Sequence, residues 1–180
     1  RMLEYNPQAD LERLQRAYVF TAKVHHGQER LSGEPYLIHP LEVAGILLNL
    51  HVDEDTIIAG LLHDTLEDTL TTREEIDRLF GPKVAVLVEG LTQIARMEFR
   101  SAREQQAENF RKMLVAMSED IRILLVKLSD RTHNMRTIKY MKEASQRRIA
   151  QETKDSYVPL AHRLGVHGQK QARAGPDFRT

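Results

Sequence analysis

The sequence predicts a single all-α domain, and three observations point to it. Apolar residues recur at a spacing of about 3.6 along most of the 180 residues. Candidate cap residues stand before several of these stretches. No stretch alternates apolar and polar residues in the way that a half-buried strand does. With 41% hydrophobic and 29% charged residues, a chain of this length can bury a core of its own.

The helices are expected to follow one another from Asp10 onward, with Asp10 as the first N-cap. Thr72 and Glu75 have the spacing of a capping box. We expect helices over residues 10–24, 40–50, 53–62, 72–80, 82–91, 107–117, 120–134 and 145–164. Loops are predicted at 28–36, which holds a Gly/Pro turn, and at 97–105, which is polar and expected to be mobile.

Composition excludes several classes of protein. The chain has no cysteine, so disulfides, thiolate zinc sites and a cysteine nucleophile are ruled out. Its formal net charge is zero, which gives no indication of nucleic-acid binding. No apolar run reaches the roughly 18 residues that a membrane span needs. We therefore expect a cytoplasmic protein with no membrane or nucleic-acid partner, and any metal must be held by His, Asp and Glu.

The segment 61–68 (LLHDTLED) places four titratable groups directly after an apolar helix. His63 and Glu67, like Asp64 and Asp68, are four residues apart, so on a helix each pair shares one face. Such groups beside a core are costly unless a cation compensates them. The alternative is a solvated helix end with a hydrogen-bonded core histidine, and this segment alone leaves the two about equal.

Two further segments favour the metal. His39 stands at a helix start among apolar neighbours, and Asp130 lies at the end of an apolar helix. Lys127 or Arg131 could pair with a buried Asp130, and a metal is the other possible partner. Together with His63 and Asp64, these residues give two imidazoles and two carboxylates, a ligand set that suits several divalent ions.

Four segments then carry a family resemblance: RLSGEPYLIHP at 30–40, HDTLED at 63–68, QAENFRKM at 106–113 and VKLSDRTHNMRT at 126–137. In this order they resemble the hydrolase domain of the RelA/SpoT homologues, over residues 4 to about 167. The resemblance implies an HD-domain helical bundle. It also implies removal of pyrophosphate from the ribose 3′ position of the stringent-response alarmones ppGpp and pppGpp, giving GDP or GTP, with Mn²⁺ as the usual metal.

The resemblance also implies roles for individual residues. Metal ligands would be His39, His63, Asp64 and Asp130, and Glu67 and Asp68 would position or deprotonate the attacking water. Substrate contacts would come from the base-packing loop with Arg30 and Ser32, and from Asn134 and Thr137 near the ribose and phosphates. Alternatives remain for each contact, such as a helix C-cap for Asn134. The remaining histidines receive no role in the site: His133 is interpreted as structural, and His25, His26 and His51 as surface residues.

One departure from the family pattern and the C-terminal part of the chain lead to further expectations. Leu31 stands where many relatives have a basic residue, which puts affinity or substrate preference in doubt. Residues 157–165 (YVPLAHRLG) resemble the helix that precedes the alarmone synthetase domain in the two-activity members, so we expect a C-terminal synthetase domain in the full-length protein. Residues 1–167 would form the hydrolase domain and 168–180 a frayed or disordered tail. Hydrolysis of another nucleotide, or binding without turnover, are the competing hypotheses.

Overall fold

The computed structural model describes residues 1–98, 114–115 and 120–162, and within them the chain is almost wholly helical. The helices are α1 (Met2–Tyr5), α2 (Leu11–Val24), α3 (Ile38–Asn49), α4 (Glu54–Leu62), α5 (Thr65–Asp68), α6 (Arg73–Phe80), α7 (Pro82–Glu98), α8 (Ile121–Arg136) and α9 (Glu143–Glu152). A 3₁₀ turn covers Ile138–Tyr140, and a π turn covers Thr153–Tyr157. Among the described residues the one β-type pairing is an isolated bridge between Glu29 and Pro35. The all-α prediction is confirmed.

Several boundaries differ from those predicted. Helix α3 begins at Ile38, before the proline that was expected to open it, so His39 lies inside its first turn. Helix α7 continues to Glu98, and so takes up the first two residues of the predicted loop at 97–105. The rest of that loop, most of the predicted helix at 107–117, and the predicted tail at 168–180 lie outside the described residues.

Helix α4 is the centre of the bundle. It packs against α2, α3, α7 and α8, and its seven residues from Thr56 to Leu62 are all buried. A helix that is apolar on every side belongs in the interior. Ile58 and Leu62 have no exposed surface. The chain therefore leaves the middle of the core at His63 and Asp64, where α4 ends and α5 begins.

Side-chain caps define where three of these helices begin. The Asp10 side chain accepts a hydrogen bond from the Arg13 backbone N–H, and Thr72 accepts one from the Glu75 N–H. Asp53 does the same for the Thr56 N–H at the start of α4. Each cap satisfies a backbone donor that would otherwise lack a partner.

The chain divides into two compact units, Arg1–Tyr140 and Met141–Thr180. Every predicted site residue belongs to the first unit. In the second, α9 and the π turn lead into a helical stretch at 158–162. Across the described residues, no helix is both long enough and apolar enough to cross a bilayer.

Candidate metal centre

Three buried side chains from three helices converge on one point. His39 comes from the first turn of α3, His63 from the end of α4, and Asp130 from α8. One potential ligand atom of each lies within 4.8 Å of those of the other two. The two Nε2 atoms are 3.2 Å apart, and Asp130 Oδ1 lies 3.2 Å from His39 Nε2. All three side chains are buried, His39 on the buried face of α3 and the other two on α8 and at the end of α4.

Asp64 completes the predicted set from the side that faces solvent. Its Oδ1 lies 3.1 Å from His63 Nε2, and its Oδ2 lies 3.6 Å from His39 Nε2. The Tyr36 hydroxyl donates to Asp64 Oδ2 at 2.6 Å. The structure therefore brings together all four residues that the sequence suggested as ligands.

The donor chemistry fits a divalent cation. The Gly60 carbonyl lies 2.8 Å from His63 Nδ1, and because a carbonyl only accepts, that nitrogen carries a proton. His63 Nε2 is thus the nitrogen that would coordinate an ion, and it faces His39 Nε2. Imidazole nitrogens with carboxylate oxygens are the ligands that manganese, iron and zinc accept. The residues present therefore fit such an ion.

Protonation equilibria in the cluster lead to the same conclusion. Burial opposes protonation of His63, but the carboxylates of Asp64 and Asp130 raise its pKa to about 9. Burial also opposes ionisation of Asp64, yet the His63 imidazole holds the pKa of Asp64 well below its usual range. Without metal, a proton thus stabilises these carboxylates, and a cation would take its place.

Asp130 is stabilised as an anion from a second direction. Its Oδ2 lies 3.3 Å from Lys127 Nζ, and its Oδ1 accepts a hydrogen bond from Asn134 Nδ2 at 2.6 Å. Although burial opposes its ionisation, the Lys127 ammonium and the imidazoles keep the pKa of Asp130 well below the ordinary value. Of the two structural partners considered for Asp130, Lys127 is therefore in contact, and Asp130 keeps an oxygen directed at the histidines.

The acidic pair on α5 lies beside the cluster. Asp68 Oδ2 accepts a hydrogen bond at 2.8 Å from the Tyr36 hydroxyl, which also contacts Asp64. Burial and the Asp64 charge raise the pKa of Glu67 to about 7. A carboxyl with that pKa can exchange protons near neutral pH.

The predicted substrate contacts divide into two groups. Arg30 and Asn134 come together, with Arg30 Nη2 donating to Asn134 Oδ1 at 3.0 Å. Asn134 lies within α8, which ends at Arg136, so the C-cap alternative is wrong. The Ser32 hydroxyl donates to Glu34 at 3.1 Å, and the Thr137 hydroxyl donates to the His133 carbonyl at 3.1 Å. Neither of the latter two contacts a proposed ligand.

Two histidines for which no site role was predicted contact residues of the site. His133 is buried with its Nδ1 2.7 Å from His39 Nδ1, and burial with the neighbouring His39 and Arg30 lowers its pKa to about 4. His25, predicted to be a surface residue, is 4% exposed and stacks on Tyr36 with ring centroids 4.6 Å apart. His26 and His51 are exposed as predicted. Helical spacing from Asp130 could have indicated His133, because residues three apart share a face.

Comparison with known proteins identifies the family. The HD domain family matches residues 17–167. The chain belongs to this family. Its name fits the adjacent His63 and Asp64 at the centre of the site.

Bacterial proteins with similar sequences point to one group within this family. The chain is 57% identical to a GTP pyrophosphokinase of Myxococcus xanthus over 179 residues, which is 98% of this chain and 24% of that protein. It is 51% identical over 163 residues to the bifunctional (p)ppGpp synthase/hydrolase SpoT of Escherichia coli K12, which is 91% of this chain and 23% of that protein. The predicted resemblance to RelA/SpoT homologues is confirmed, and the chain spans about a quarter of the length of these relatives.

A solved structure agrees on the fold. It is described as a metazoan orthologue of SpoT that hydrolyses ppGpp and plays a role in starvation responses. The TM-score is 0.66 at 24% identity, and the match covers 83% of this chain and 87% of that one. At this identity the likeness supports the helical HD-domain architecture.

Proposed function

We propose that this chain is a metal-dependent hydrolase that removes pyrophosphate from the ribose 3′ position of ppGpp and pppGpp. The observation that carries the proposal is the convergence of His39, His63 and Asp130 with Asp64 beside them. A relative from Escherichia coli O157:H7 that is 51% identical over 91% of this chain is named guanosine-3′,5′-bis(diphosphate) 3′-pyrophosphohydrolase. Its name supplies the substrate.

We assign Mn²⁺ to the site, held by His39, His63, Asp64 and Asp130. Two nitrogens and carboxylate oxygens are ligands that manganese accepts, and the family resemblance favours it over zinc or iron. When bound, such an ion neutralises phosphate charge and lowers the pKa of a coordinated water. The site residues also explain why an ion is needed, since Asp64 and Asp130 bring two negative charges next to the substrate's phosphates.

The acidic pair would handle the protons. Glu67, with a pKa of about 7, can accept a proton from the attacking water. Asp68 is held by the Tyr36 hydroxyl and would orient that water. The water oxygen bonds to the phosphorus attached to the ribose 3′ oxygen, and the bond between that phosphorus and the 3′ oxygen breaks. Pyrophosphate is released, and the 3′ oxygen takes up a proton to become a hydroxyl.

Substrate binding would involve the loop at 28–36. The Arg30 guanidinium can stack on the guanine base, and Ser32 lies two residues further along the same loop. Asn134 and Thr137 would face the ribose and phosphates from the end of α8. We place the protein in the cytoplasm, and we assign a synthetase activity to another region of the full-length protein.

The test is pyrophosphate release from ppGpp by the purified chain with Mn²⁺, after chelation, and in an Asp64→Asn variant. This variant keeps the size of the side chain and removes the charge. We expect release that requires both the metal and Asp64, with a loss of at least 100-fold in the variant. A folded, metal-loaded chain that binds ppGpp without releasing pyrophosphate would instead identify a binding module.

A comparison of several nucleotides tests whether ppGpp is the preferred substrate. GTP, a 3′-nucleoside monophosphate and ppGpp are compared at equal concentration with Mn²⁺. Selective turnover of ppGpp supports the assignment. Equal or faster turnover of the other nucleotides would contradict it and favour a broader HD phosphohydrolase.

A further inference from the structure

His133 lies directly behind a proposed metal ligand. It is 6% exposed, and its Nδ1 is 2.7 Å from His39 Nδ1. The opposite nitrogen of His39, Nε2, faces His63 Nε2 and Asp130 Oδ1, both at 3.2 Å. The two nitrogens of His39 thus have separate partners, one on the metal side and one on the protein side.

The short contact between the two Nδ1 atoms requires one proton between them. Either nitrogen could carry it if the pair were isolated. The pair is not isolated, because Arg30 Nη1 lies 3.3 Å from the same His133 Nδ1. A guanidinium has only donors, so it favours a lone pair on His133 Nδ1 and the shared proton on His39 Nδ1. The Asp130 carboxylate, which only accepts, favours a proton on His39 Nε2 until a cation takes that position.

This proton placement has a consequence on the metal side. With its proton on Nδ1, neutral His39 has a free lone pair on Nε2, the atom that faces the cluster. His63 reaches the same state by a different contact, its Nδ1 donating to the Gly60 carbonyl. When an ion replaces the proton of the site, both imidazoles can therefore present an Nε2 lone pair, one oriented by the backbone and the other by a side chain.

A second path joins the same arginine to another ligand. Arg30 Nη2 donates to Asn134 Oδ1 at 3.0 Å, and Asn134 Nδ2 donates to Asp130 Oδ1 at 2.6 Å. The guanidinium thus fixes the amide orientation of Asn134 as well as the lone pair of His133. Both paths end on atoms that face the proposed metal.

We propose that His133 is a positioning residue that holds His39 in the tautomer with a free Nε2, and that Arg30 fixes the direction of this hydrogen bond. The proposal rests on the proposed metal site and adds a residue with no previous role in it. Partners of metal-bound histidines typically affect metal affinity by 10- to 100-fold.

The first experiment measures the tautomer without any substitution. Long-range ¹H–¹⁵N correlation spectra of the chain loaded with diamagnetic Zn²⁺, which takes the place of the proton between the histidines and the carboxylates, report whether His39 Nδ1 carries a proton. We expect a protonated Nδ1 and an Nε2 without a proton. A metal-loaded chain in which His39 Nδ1 carries no proton would overturn the proposal.

The second experiment measures Mn²⁺ affinity by competition with a fluorescent chelator. His133→Leu removes the acceptor, whereas His133→Asn supplies a carbonyl oxygen near the position of Nδ1. We expect about 10- to 100-fold weaker binding in the leucine variant and recovery to within a few-fold of the parent in the asparagine variant. Equal affinity of parent and leucine variant, or no recovery with asparagine, would contradict the proposal.

Neither measurement depends on turnover, so the two proposals can fail separately. A parent chain that binds Mn²⁺ but releases no pyrophosphate would end the proposed function and leave the role of His133 standing. Circular dichroism melting of each variant shows whether it is folded. If His133→Leu does not fold, the tautomer in the parent and the affinity of His133→Asn still decide the question.

Discussion

Glu67 shows how one carboxyl group can be destabilising in the absence of metal. Burial and the Asp64 charge raise its pKa from 4.5 to about 7. A raised pKa means that the folded state binds the proton more tightly than the unfolded chain does. The contribution of Glu67 to stability is therefore fully present below the unfolded value, declines as the pH rises, and is lost above about 7.

Replacing Glu67 with Gln should therefore stabilise the metal-free chain in a pH-dependent way. We expect little change at pH 4 and a gain that grows to roughly 1 kcal/mol above pH 7, after allowance for solvent screening. Thermal melts of the metal-free protein at several pH values measure it, with exposed Glu42→Gln as the control for loss of one charge. A gain that is the same at pH 4 and pH 8 would rule out this explanation.

Tyr36 holds two carboxylates with one hydroxyl. It contacts Asp64 at 2.6 Å and Asp68 at 2.8 Å, and burial together with these charges raises its pKa, so that it remains a donor. Tyr36→Phe removes the donor and keeps the stacking on His25. We expect kcat for pyrophosphate release to fall about 10- to 100-fold while KM changes little, because the acidic pair loses its fixed orientation.

The matched control for this substitution is Tyr18→Phe, since Tyr18 is 41% exposed and lies on α2 away from the cluster. Steady-state kinetics of the two variants should differ clearly. A Tyr36→Phe enzyme with parental kcat would show that the bridge has no catalytic importance.

At the scale of elements, α3 and α4 cross where a glycine allows it. A Cβ added to Gly60 would lie 2.5 Å from Leu47 Cδ1, and Leu47 has no exposed surface through which to move away. We expect Gly60→Ala to destabilise the chain by about 1–3 kcal/mol, measured by urea unfolding. Adding Leu47→Val should recover part of this loss, giving a combined effect smaller than the sum.

Gly45 supplies the control for the crossing. It lies in α3, the helix that carries Leu47, and a Cβ there would meet nothing within 4 Å. Gly45→Ala should therefore be neutral or stabilise by about 0.5–1 kcal/mol, as a helix-interior alanine does. A similar loss at both glycines would mean that the close approach to Leu47 is not the cause.

Local signals explain which elements were predictable. The caps at Asp10 and Thr72 act within three residues, so sequence spacing alone reveals them. The end of α7 at Glu98 was not predictable, since polar residues suit a solvated helix as well as a loop. The start of α3 at Ile38, before Pro40, was also missed, because proline is tolerated throughout a first turn.

The site residues also differ in whether local sequence was enough to predict them. His63 and Asp64 follow an apolar helix, which marked them as buried titratable groups before any fold was known. The contacts of His133 with His39 and Arg30 span 94 and 103 positions in sequence. Spacing from Asp130 places His133 on the same helical face, but the packing of α8 against α3 is needed to bring it to His39.

At the scale of the whole first unit, one arginine ties three helices together. Arg13 of α2 pairs with Glu54 at 2.9 Å and with Asp55 at 2.7 Å on α4. It also donates to the Phe80 carbonyl at the end of α6. These contacts hold the N-terminal end of α4, whereas the candidate metal centre lies at its C-terminal end.

Because the Arg13 contacts and the candidate metal centre lie at opposite ends of α4, a substitution of Arg13 should change stability without changing metal affinity. Arg13→Met should lower the free energy of unfolding by about 2–3 kcal/mol, since it leaves two partly buried carboxylates without their partner. Its Mn²⁺ affinity should remain parental. Urea unfolding and chelator competition measure the two quantities, with exposed Arg78→Met as the control.

Metal binding should stabilise the parent chain and Arg13→Met equally. A ligand that binds only the folded state adds about 2.7 kcal/mol at a concentration of 100 Kd, whatever the starting stability. Saturating Mn²⁺ should therefore raise the unfolding free energy of the parent and of Arg13→Met by the same amount. A smaller gain in Arg13→Met would mean that the contacts at the start of α4 also shape the site at its end, and that the first unit transmits strain along this helix.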